Sequence, residues 1–163
     1  MRAKKASFLR IHKEENMRKV ATVALALLAS LAIGCKKNSV TGPSTESLTG
    51  TWRATKAEYV NASNSSIKVD IVSQGATVTL VLEATTYTFT ASDTRVPTNI
   101  GSGSWSSSSD ILTLQPAGLP FTIIFEMSLS GDTLTLSGGG VQFDFNGTGN
   151  FVDATLNMVL TRQ

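Results

Sequence analysis

The sequence holds one cysteine, Cys35, and one histidine, His12, in 163 residues. A single cysteine excludes any disulfide within the chain, so the fold must rest on a core of ordinary size. Long apolar runs are scarce as well. The run from Val20 to Ile33 covers fourteen residues, short of the roughly 20 that a helix needs to cross a bilayer core. No segment sustains an apolar period of 3.6, which argues against a helical bundle.

The apolar run has a context. Met17-Arg18-Lys19 precedes it and Leu31-Ala32-Ile33-Gly34-Cys35 closes it. This order resembles a bacterial lipoprotein signal, with a positive start, an apolar centre and a lipobox. The resemblance implies cleavage before Cys35, diacylation of its thiol and acylation of the new amino terminus, with chains such as palmitate. Residues 1–34 are then a signal peptide, and the long leader before Met17 makes Met17 an alternative start. Two or more acyl chains give a stable membrane anchor where one does not, at about 0.8 kcal/mol per buried methylene. Lys36 follows the cysteine where Asp would favour retention in the inner membrane, so the expected address is the outer membrane of a Gram-negative envelope. Residues 35–47 are polar, turn-rich and aperiodic. Their twelve flexible residues after Cys35 make a tether with an r.m.s. reach of about 20 Å.

Loss of residues 1–34 changes the chemistry that remains. Seven basic and ten acidic side chains are left, a net charge of −3. No basic patch interleaved with aromatics survives, so a nucleic-acid partner is disfavoured and none is expected. His12 goes with the signal, and Cys35 is acylated. Ser-His-Asp and Cys-His arrangements and the usual zinc sites are thereby excluded, and the acids are too scattered to suggest paired carboxylates or a calcium loop. No enzyme, cofactor or metal is expected. The serines from Ser104 to Ser109 read as strand edge and turn, and Gly138-Gly139-Gly140 as a loop, since no helix or Lys follows to cradle phosphate.

Residues 48–163 are expected to form one all-β domain. Val78, Leu80 and Leu82 alternate with polar or smaller neighbours, as do Tyr87 and Phe89. The same period runs through Phe121, Ile123, Phe125, Met127 and Leu129, through Val141, Phe143 and Phe145, and through Ala154, Leu156, Met158, Leu160 and Arg162. Short turn signals between these runs predict an antiparallel up-and-down meander of eight to ten strands. The segment Ser106 to Leu114 recurs as Ser128 to Leu136, as if one hairpin corner were used twice.

Gly50-Thr51-Trp52 near the start of the first strand, with Arg162 near the end of the last, resembles the lipocalin pattern. So do Gly103-Ser104-Trp105-Ser106 and Asp132-Thr133-Leu134-Thr135-Leu136, as in the lipocalin-like domains of small bacterial lipoproteins. The resemblance implies a closed barrel with Trp52 at its closed end and Arg162 lying across the indole, a cation-π contact. It also implies a small apolar or amphipathic ligand. If Trp52 points inward, a strict two-residue period turns Lys56 and Glu58 inward too, to line a polar cavity with Tyr87, Phe89, Phe125 and Met127 as apolar contacts. The other outcome is a bulge that returns Lys56 and Glu58 to water. An eight-stranded barrel holds either side chains or one small ligand, so a filled barrel that binds an envelope protein is the alternative.

Overall fold

The computed structural model describes residues 42–163; the expected signal and Cys35 lie outside them. One short helix, α1 (Thr45–Leu48), precedes nine strands: β1 (Gly50–Asn61), β2 (Lys68–Asp70), β3 (Val78–Leu82), β4 (Thr86–Ala91), β5 (Ser102–Ser108), β6 (Ile111–Pro116), β7 (Ile123–Ser130), β8 (Thr133–Phe143) and β9 (Val152–Arg162). Each alternating run became a strand because only that conformation sends every second side chain to one face. Consecutive strands from β3 to β9 pair antiparallel, β1 joins β3, and β9 returns to β1. Eight strands therefore close into an up-and-down barrel, and β2 pairs as an extra strand with the far half of β1.

Strict alternation fails at one end of each of two runs. Phe121 lies before β7 and is exposed, and Phe145 lies beyond β8 and is only partly buried. Loops carry these residues, so the period that placed them inward does not apply.

The repeated segment is a repeated corner. Ser109-Asp110 turns β5 into β6, and Gly131-Asp132 turns β7 into β8. Ser109 and Gly131 both adopt left-handed backbone, with φ of 55° and 57°. The carbonyls of Asp110 and Asp132 then accept the N–H of Met127 and Arg162 on the following strand. Glycine holds this conformation without the clash of a Cβ, whereas Ser109 bears it. Ser109→Gly is expected to raise stability by about 0.5–1 kcal/mol, read as a higher urea midpoint; a lower midpoint would show that the corner is unstrained.

The interior is filled. A side chain beside a water-sized void keeps accessible surface on that side, yet Trp52, Tyr59, Leu80, Leu112, Phe125 and Leu134 keep 1% or less. Phe125 even occupies the place that a side chain at Gly139 would take. Residues from every barrel strand join this one core.

Candidate functional site

The two ends of the barrel differ. The closed end is built from α1, the start of β1 and the end of β9. Ser44 caps α1 by accepting the Ser47 N–H, so residues that read as tether belong to the folded region. The Trp52 indole N–H donates to the Leu48 carbonyl at 2.8 Å. The Arg162 guanidinium lies 4.2 Å from the indole ring centroid and donates to the Thr49 carbonyl at 2.7 Å and to the Ser47 carbonyl. Gly50 is the reason that glycine precedes Trp52 by two. Its φ is 137°, and a Cβ there would come within 2.7 Å of Arg162 Nη1. Gly50, Trp52 and Arg162 thus form one structural seal, as the resemblance implied, and all the nearby backbone carbonyls of α1 that they engage are satisfied.

Lys56 and Glu58 are not inside. The register of β1 against β9 shifts between Ala54 and Lys56, a β-bulge that adds one residue and reverses which face each later side chain takes. Ala57 and Tyr59 enter the core in their place. Lys56 and Lys68 instead pair with Glu58 at 3.1 and 3.9 Å on the outer face. Of the two outcomes open from the sequence, the bulge is the one found, so Lys56 and Glu58 line no polar cavity, and Val60, next in that phase, is only partly buried. Tyr87, Phe89, Phe125 and Met127 do face inward and are buried, and none of them lines the cleft at the mouth described below.

The other end carries the loops. Residues 92–101 fold back over the mouth, burying Val96 and Ile100. Several bonds hold this loop, among them Tyr87 donating its hydroxyl to the Ile100 carbonyl at 3.0 Å, the Phe89 N–H donating to the Gly101 carbonyl at 2.7 Å, and the Asp144 N–H to the Arg95 carbonyl at 3.1 Å. Burial pushes the Tyr87 phenol up to about 12, so it remains a donor. Arg95 closes the clamp. It bonds the Asp93 carboxylate through Nε and Nη2 at 2.9 and 2.6 Å, reaches Gln74 at 2.6 Å, and lies 5.4 Å over the Phe143 ring. Phe143 in turn stacks on Tyr59 at 4.1 Å. The Tyr59 hydroxyl is buried with no hydrogen-bond partner among the described residues, and burial, then the Asp93 charge, raise its pKa far above the ordinary phenol value.

The side-chain hydrogen bond from Arg95 holds the Asp93 carboxyl below the usual carboxylate range. A lowered folded-state pKa stabilises the fold above the unfolded value, near 3.9, and that contribution disappears as pH falls through the folded value. Asp93→Asn is expected to cost about 1 kcal/mol at neutral pH, discounted for partial exposure. The two thermal midpoints should converge as the pH falls below the unfolded value and through the lowered folded one. A constant gap across that range would remove the ion pair from the account. Asp144 is different. Burial alone would raise its carboxyl, but N–H groups of Gly149, Thr148, Asn146 and Gly147 outweigh burial and lower it.

Between this loop and the wall of the barrel lies a cleft of about 440 Å³. Pro97, Asn99 and Ile100 of the loop form one side, Phe121 another, and the mouth ends of β8 and β9, with Val141 and Ala154, the rest. The volume is within the range of small-molecule sites, about 300–1,000 Å³. The wall is also incomplete here. Pairing of β7 with β8 stops at Glu126 and Ser137, while both strands run on toward the mouth. A second depression, about 590 Å³, lies against β4, β5 and β6 and is lined by residues such as Thr86, Ser102, Ser104 and Gln115. The cleft could not be found from alternation, because loop residues and Phe121 make it. Among the described residues, no three His, Cys, Asp or Glu side chains gather where they could hold a metal, and no helix is long and apolar enough to cross a membrane.

The family model of the lipocalin-like domain matches residues 48–136, from the last residue of α1 into β8. No curated protein and no solved structure matches the chain. The match spans more than half of the sequence and the barrel closes as that domain requires, with a form suited in general to small-ligand binding: the chain belongs to the lipocalin-like domain family.

Proposed function

We propose that this protein is an envelope lipoprotein, anchored through acylated Cys35 in the outer membrane, whose barrel holds a small apolar or amphipathic molecule at its mouth. The observation that carries the binding role is the cleft beside residues 97–100, where Phe121 is 43% exposed next to buried Ile100 and Val141. An exposed aromatic at the rim of an apolar cleft is surface that a ligand would remove from water, and the filled interior leaves the mouth as the place for it.

Binding is tested with the neutral dye N-phenylnaphthylamine, whose fluorescence rises in apolar surroundings. The protein is expected to bind it, and Phe121→Asp to weaken binding about tenfold or more, since burial of a Phe side chain contributes about 1.5–3 kcal/mol. Phe121 lies outside the strands and is exposed, so the substitution should leave the thermal midpoint unchanged within about 2 °C. Undiminished binding by the variant would remove the cleft as the site. A second reading has an observation in its favour: the same filled interior suits a barrel whose partner is another envelope protein. Native mass spectrometry of the protein from an envelope extract separates the two. An extractable small mass supports the ligand, whereas a bare protein mass supports the protein partner.

A further inference from the structure

The cleft's electrostatics narrow the class of ligand. Only one ionisable residue lines it among the described residues, and that residue is Asp153. No cation lines it. Between residues 69 and 161 the sequence has a single basic residue, Arg95. Arg95 is committed on every side, to Asp93, to Gln74 and to the face of Phe143. The other base near the mouth, Lys68, faces Glu58. With the Glu58 group included, three bases, Lys56, Lys68 and Arg95, stand against five acids, Glu58, Asp70, Asp93, Asp144 and Asp153. The mouth is thus a region of net negative charge, and the residues that line the cleft offer an anionic headgroup neutral donors but no cation.

An anion entering such a cleft meets two costs. Its headgroup loses water without gaining a compensating cation, and the carboxylates of the mouth repel it. Two unit charges 4 Å apart interact by about 1 kcal/mol even in bulk water, about fivefold in affinity, and more strongly near low-dielectric walls. Asn99 and Gln142, both exposed at the cleft, supply amide donors and acceptors for an uncharged polar group. We infer that the cleft selects uncharged or cationic amphiphiles and rejects fatty acids and other anionic ones. This inference rests on the proposal that the cleft binds a small amphipathic molecule.

Displacement of N-phenylnaphthylamine by decanol, decylamine and decanoate at neutral pH tests it, since the three share a chain and differ in head charge. Decanol and decylamine are expected to displace the dye, with decanoate at least about fivefold weaker than decanol. Asn99→Lys, which adds a cation on an exposed loop position, is expected to bring decanoate to within about twofold of decanol. Equal displacement by all three, or tightest displacement by decanoate, would overturn the selectivity and leave the cleft as a binding site. Failure of the dye and of all three to bind would overturn the site and, with it, the selectivity.

Discussion

Trp52→Ala is expected to lower stability by about 3–5 kcal/mol, the range for removal of a large buried aromatic. The side chain is fully buried, and its loss does more than open a cavity. The Leu48 carbonyl loses its donor, and the Arg162 guanidinium loses the ring beneath it. At a urea slope of about 1.5 kcal/mol per molar, the midpoint should fall by about 2–3 M. Arg162→Ala should destabilise by a smaller amount, because its bonds to Ser47 and Thr49 are partly open to water. Arg162→Lys should not rescue it, since an ammonium cannot spread over the indole and span two carbonyls as the planar guanidinium does. The double variant should cost about 1 kcal/mol less than the sum of the two, which measures the cation-π contact and the bonds that depend on it. Additive effects would mean that the two side chains do not act as one seal.

The second large effect is expected at Gly103 on β5. A Cβ there would overlap the backbone carbonyl of Gln115 on β6, the strand it pairs with. A flexible side chain could turn aside, but a paired backbone cannot move without opening the ladder. Gly103→Ala is expected to cost about 3 kcal/mol, the upper part of the range for overpacking, and to lower the thermal midpoint by about 10 °C. Gly140→Ala is the control, because a Cβ there meets nothing within 4 Å. It should shift the midpoint by less than about 2 °C. Equal effects at the two positions would refute the steric reading. Gly103 also lies within the Gly-x-Trp of Gly103-Ser104-Trp105, so the short motif has a physical meaning: glycine where strands approach closely, and an indole, here Trp105, that donates to the Glu83 carbonyl at 2.8 Å.

Much of the barrel was legible because a strand has a period of two, and a side chain's neighbours in sequence therefore report its face. The alternation at Val78, Leu80 and Leu82 and at Ala154, Leu156, Met158 and Leu160 translated directly into buried faces of β3 and β9. Lys56 and Glu58 show where that logic stops. One extra residue near Thr55 reverses the phase of β1, and whether a strand bulges depends on how its partner β9 pairs with it, which no local pattern records. Phe121 stands just beyond the reach of β7 and so became a rim residue rather than core.

The sequence by itself determined the antiparallel meander, the placement of the turns and the identity of the seal, since periodicity, turn residues and the Gly50, Trp52 and Arg162 pattern are local features written residue by residue. Only the tertiary structure decided that the barrel is filled, that residues 92–101 fold over its mouth, and that a cleft without a cation remains beside them. Those outcomes depend on how side chains from distant strands share one volume, and volume is summed in space rather than along the chain.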